Sequence, residues 1–71
     1  MMLVMPLKVS DLLKLIEDDG WYLAAIKGSH RQYRHPTKKG RVTVPGMPSK
    51  VLPIGTERSI LGQAGLDRRT L

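Results

Sequence analysis

Leu12, Leu13, Leu15 and Ile16 recur at helical spacing while Asp11, Lys14, Glu17 and Asp18 fall outside that stripe, so this stretch predicts an amphipathic helix. Ser10 stands where an N-cap hydroxyl is needed, and Gly20 offers the left-handed residue that closes a helix after Asp19. The period then changes. Residues 21–27 are aromatic and apolar and predict a strand with Trp21, Leu23 and Ala25 on one face and Tyr22, Ala24 and Ile26 on the other. Gly28 and Ser29 make a turn, and residues 30–35 return as a second strand. Pro36, Thr37, Lys38, Lys39 and Gly40 form a polar turn, after which residues 41–44 alternate polar with β-branched side chains and predict a short third strand. Residues 45–53 hold three prolines and a glycine, the composition of an ordered loop. Thr56 is the expected cap of a final helix, with Glu57 in its first turn, Ile60, Leu61 and Ala64 on its buried side and Gly65 as its stop.

The order helix, three strands, helix predicts an α+β fold: a three-stranded antiparallel sheet with two helices on one face. The other sheet face stays open for an extended or helical ligand. At 71 residues the chain supports one core, so residues 1–71 are expected to form a single domain, with the core at about 8–66 and a charged tail at 67–71 that frays.

Charge sharpens this picture. The formal net charge is +6, yet residues 1–20 carry a net −2, so the remainder of the chain carries +8. A field of that sign attracts polyanions, and binding to nucleic acid through it weakens steeply with salt. The apolar start, residues 1–7, is far too short to span a membrane and is interrupted by Pro6, so no membrane partner is expected. The chain has no cysteine, which excludes disulfides and thiolate metal sites and is compatible with a reducing cytoplasm. Two histidines without HxH or HExxH spacing do not make a zinc site, no glycine-rich phosphate loop precedes a helix, and Ser29 beside His30 does not supply triad geometry. No metal or other cofactor is therefore expected.

What remains for chemistry is the second strand. Tyr33 is its one residue with an apolar body, so Tyr33, Arg31 and His35 are expected to face the helices and His30, Gln32 and Arg34 the open side. An imidazole among guanidinium and amide groups suits RNA. Histidine ionises near neutrality and can take a proton from a ribose 2′-hydroxyl, while neighbouring cations stabilise the extra charge of the phosphorane-like transition state. Lys27 precedes the turn that holds His30 and is placed to reach the same phosphate; Lys38, Lys39 and Arg41 are further candidates for phosphate contacts. Trp21 and Tyr22 are both able to stack bases, with one of them expected in the core. Taken alone, these residues leave His30 either a general base or a polar residue flanking a turn.

The ordered motifs GW at Gly20 and Trp21, GSHxxYxHP at Gly28, Ser29, His30, Tyr33, His35 and Pro36, VxVP from Val42 to Pro45 and GTxxSILxQAGL from Gly55 to Leu66 resemble the HicA toxin family over nearly the whole chain, from about Val9 to Leu66. That resemblance implies a fold similar to a double-stranded-RNA-binding domain and activity as an mRNA interferase, an endoribonuclease acting on single-stranded RNA. It implies His30 as the catalytic residue; Lys27, Ser29, Gln32, Arg34, Lys38, Lys39 and Arg41 stand as candidate RNA contacts on their own charge, polarity and position around His30. The implied partner is a HicB-like antitoxin that covers the toxin's active face, with DNA contacted only through the antitoxin. The chain departs from the family pattern at Met47, where Lys or His is frequent, at Glu57 in place of Leu, at Lys27 in place of Arg and at Gly62 in place of Lys. Two other readings compete: a non-catalytic RNA-binding module of the double-stranded-RNA type, and a decayed toxin that only binds an antitoxin.

Overall fold

The computed structural model describes residues 7–66. The expected fraying of residues 67–71 and the reading of Pro6 lie outside the described residues. Its elements run α1 (Val9–Asp18), β1 (Tyr22–Lys27), β2 (His30–Arg34), β3 (Val42–Val44) and α2 (Ile54–Gln63), in the α-β-β-β-α order of a double-stranded-RNA-binding domain. The three strands form an antiparallel sheet in the order β1-β2-β3. Among the described residues no helix is long and apolar enough to cross a membrane.

The core follows from the two periodicities. Val9, Leu12 and Ile16 line one side of α1, Ile60, Leu61 and Ala64 one side of α2, and they meet Tyr33, Val42 and Val44 of the sheet in one cluster completed by Trp21 and Leu52. Burial of that apolar surface is the main favourable term for a chain this short. It gathers both helices on the Tyr33 side of the sheet.

Both helix starts differ from the expectation. Ser10 is the second residue of α1, whose N-cap is Lys8. The orphan amides of the first turn are satisfied by the chain around it: Asp11 accepts from the Lys8 N–H at 3.1 Å, and loop carbonyls accept from Val9 (Lys50, 2.8 Å) and Ser10 (Pro48, 3.0 Å). A bridge between Lys8 and Val51 fastens the same loop, so residues 45–53 are ordered by capping a helix. The final helix begins two residues before Thr56, at Ile54, with Pro53 as its N-cap. Proline loses nothing at a helix start, because the first amides have no partner within the helix.

The glycine stops behave as expected. Gly20 and Gly65 have φ of +106° and +72°. In each case the residue beyond donates to the carbonyl five residues back, Trp21 to Ile16 at 3.1 Å and Leu66 to Leu61 at 2.8 Å. At Gly20 the packing adds a second restriction, since a Cβ there would lie 2.8 Å from Nε2 of His35. Gly20→Ala is therefore expected to lower stability by about 1–2 kcal/mol through backbone conformation alone, with a further loss from the contact. The urea-unfolding midpoint checks this, and an unchanged midpoint refutes it.

Candidate functional site

The open face is organised by the turn between β1 and β2. Gly28 has φ +60° and no non-glycine residue among those described has positive φ, which is the pattern of a two-residue type II′ hairpin with glycine first. Gly28 and Ser29 are thus explained by the turn itself, and Ser29 sits exposed at its tip. The tight connection makes Lys27 and His30 direct cross-strand partners. Their side chains leave the same face, at the spacing of neighbouring residues in a sheet.

Along β2 the alternation is as expected. Tyr33 pairs with Val42 and Leu23 on the helix side, while Gln32 pairs with Thr43 and Ala25 on the open side, and Arg34 pairs with Tyr22. His30 and Arg34 are exposed and Gln32 is half-buried, so these three share the open face.

In β1 the expected alternation fails. A bulge between Leu23 and Ala25 inserts one residue, which reverses the phase of the strand beyond it. Ala25 and Lys27 consequently join Tyr22 on the open face, and Ile26 moves to the helix side with Leu23. A regular strand would have put Tyr22 and Lys27 on opposite faces. Leu23 and Ile26 remain exposed on the helix side, at the edge strand of the sheet, while Tyr33, Val42 and Val44 of β2 and β3 are buried.

The helix-side residues of this region are structural. Tyr33 is buried, and its hydroxyl donates to Glu17 of α1 at 3.0 Å; burial first and the Glu17 carboxylate second push its ionisation up to about 12. Arg31 donates to the Gly46 carbonyl at 2.8 Å, which fastens the 45–53 loop to the sheet.

His35 is equally committed. Its Nδ1 accepts from the backbone N–H groups of Thr37 and Lys38, both at 3.1 Å, so Nε2 carries the proton and donates to the Asp19 carbonyl at 2.7 Å. The ring packs edge-on against Trp21 at 5.2 Å between centroids, and Trp21 is buried. Of the two aromatic residues that could stack bases, Trp21 is the core member and Tyr22 is the free one.

Lys38 is bonded within the fold, at the ends of the two helices. Its ammonium donates to Asp19 Oδ2 at 2.5 Å and to the Ala64 carbonyl at 3.0 Å, so it joins the C-terminal ends of both helices, where a cation is favoured. The hydrogen bond from Lys38 holds the Asp19 carboxyl below its ordinary range. Lys39 is exposed in the turn at 36–40, apart from the His30 end of the sheet. Arg41 is exposed just before β3, outside the paired residues, and continuing the alternation of Thr43 by one more step would put it on the open face.

The candidate site is therefore a strip: Lys27 and His30 at the hairpin end, Ala25, Gln32 and Thr43 in the middle, and Tyr22, Arg34 and Arg41 at the far end. His30 and Arg34 are four residues apart on one strand, about 13 Å at a rise of ~3.3 Å per residue. Lys27 is consequently the cation beside the imidazole, while Arg34 addresses a different part of any bound chain. Among the described residues no three histidine or carboxylate side chains are grouped to hold a metal ion.

Of the four departures from the family pattern, Met47 is exposed in the 45–53 loop, Glu57 is buried in the first turn of α2 and Gly62 is exposed on that helix. Lys27 alone lies beside His30. Comparison with curated proteins returns no match. The family model described as the HicA toxin of bacterial toxin-antitoxin systems matches residues 9–66, which takes in both helices, all three strands and the hairpin that carries His30. A match of that extent establishes that the chain belongs to the HicA toxin family.

Proposed function

We propose that this toxin is a metal-independent endoribonuclease that cleaves single-stranded mRNA on the open face of its sheet, with His30 as general base. The observation that carries the reading is the hairpin geometry: an exposed imidazole held directly across from an ammonium, on the face the helices leave uncovered. His30 takes the proton of a ribose 2′-hydroxyl, and the 2′-oxygen attacks the adjacent phosphorus. Lys27 balances the charge that builds on the non-bridging oxygens. The bond to the 5′-oxygen then breaks, that oxygen receives a proton from the imidazolium or from water, and the products end in a 2′,3′-cyclic phosphate and a 5′-hydroxyl.

The nucleophile belongs to the substrate, which gives a direct test. Cleavage of labelled RNA in excess chelator is expected to stop when a single 2′-deoxynucleotide replaces the ribose at the cut, with the remaining sites still cleaved. Cleavage persisting at the deoxy position, or loss of all cleavage with chelator, refutes the mechanism.

A cognate HicB-like antitoxin is proposed to silence the toxin by covering this strip. An acidic surface is the complement of the chain beyond residue 20, whose net charge is +8.

A further inference from the structure

We propose that Tyr22 is a base-stacking platform, and that the open face reads single-stranded RNA splayed along the sheet rather than the outside of a duplex. This rests on the reading of the face as an RNA surface and adds the form in which the RNA lies there.

The argument begins with the bulge. A strand of unbroken alternation would separate Tyr22 from Lys27, whereas the extra residue between Leu23 and Ala25 brings both onto the face of His30. Trp21, its neighbour, is buried at 2%, while Tyr22 is 53% exposed, and among the described residues its ring contacts no other aromatic ring. Arg34 lies directly across from it on β2, and exposed Arg41 precedes β3 on the far side of β2, so the ring has a neighbouring cation able to hold a phosphate and a second one farther along the sheet.

An aromatic ring on a sheet surface with basic neighbours is the arrangement that accepts an unstacked base, because every base has a π-face and the backbone follows the charge. A duplex hides those faces. The spacing fits a short single strand: about 13 Å from His30 to the Arg34 position corresponds to roughly four nucleotides if their bases stay stacked at ~3.4 Å, and to fewer if they are splayed. Gln32 and Thr43, midway, carry side-chain groups able to hydrogen-bond the edge of an intervening base.

The test uses the His30→Ala chain, so that RNA remains whole, and a short fluorescent ribo-oligonucleotide read by anisotropy. Adding Tyr22→Ala is expected to weaken binding about 5- to 150-fold, and adding Tyr22→Phe to change it less than about twofold. Moving a single abasic site along the oligonucleotide should reveal one position that costs the tyrosine-containing chain as much, and costs the Tyr22→Ala chain nothing further. In the chain that retains His30, the loss from Tyr22→Ala should fall on KM rather than kcat, since stacking is equal in ground and transition states.

Unchanged binding by Tyr22→Ala overturns the proposal, as does an equal response of both chains to every abasic position or equally tight binding of the matching duplex. The two readings fail separately. Cleavage with no Tyr22 effect leaves the nuclease and removes the stacking platform, while a Tyr22 effect on binding without cleavage does the reverse.

Discussion

His30→Ala is expected to reduce RNA cleavage by about 10²- to 10⁴-fold, the range that general acid–base catalysis supplies, and to leave folding stability within about 0.5 kcal/mol of the parent. The separation is possible because His30 is exposed at the hairpin and, among the described residues, its side chain makes no hydrogen bond within the chain. Removing it deletes the base without opening a cavity or orphaning a partner. Cleavage rates and urea unfolding on the same preparation check both halves. A folded His30→Ala protein that cuts RNA at the parental rate would eliminate His30 as the base, and a large stability loss would mean that the side chain has a structural task.

His35→Ala is expected to do the opposite. The ring holds three backbone groups at once, the Asp19 carbonyl at the end of α1 and the Thr37 and Lys38 amides of the following turn, and it packs edge-on against buried Trp21. Each partly buried group left without a partner costs about 1–3 kcal/mol, discounted where water can replace the ring, and the aromatic contact adds about 0.5–1.5 kcal/mol. A net loss of about 2–4 kcal/mol follows. Against a total stability of about 4–11 kcal/mol for a chain of this length, that is a large fraction.

The loss should extend to Lys38, because the turn that His35 caps also presents the Lys38 ammonium to Asp19 and to the Ala64 carbonyl. Thermal unfolding of His35→Ala should therefore begin at a clearly lower temperature, while cleavage measured well below that transition stays near parental. A stable His35→Ala protein with no cleavage would exchange the roles assigned to the two histidines.

The contrast between the histidines shows how far the sequence can be read. Their separation of five residues on a strand already assigns them opposite faces, and Tyr33, the one apolar-bodied residue of β2, decides which face is the core. The Gly28 and Ser29 turn, the glycine stops after both helices and the stripes of Leu12, Ile16, Ile60 and Leu61 are equally local signals. Each depends on a conformational preference or a period carried by neighbouring residues.

Three features needed the folded chain. The caps of α1 come from loop carbonyls some forty residues away in sequence, so Ser10 carries a correct local signal that long-range hydrogen bonds override. Lys38 resembles any solvated turn lysine until the fold brings the ends of both helices to it. The bulge in β1 is set by pairing between strands. Ala24 and Ala25 are too small to announce which of them is the extra residue, and only the partner strand counts them.

By itself the sequence determined the elements, their order, the buried faces of both helices and of β2, and the imidazole of the open side, because those follow from periods of two and 3.6 and from the turn chemistry of glycine. Tertiary structure alone decided that Lys27 and Tyr22 share the face of His30 and that the Lys38 ammonium is bonded at the ends of the two helices. A side chain's neighbours across a sheet, or at the meeting of two helices, depend on register and packing between segments, which no local pattern encodes.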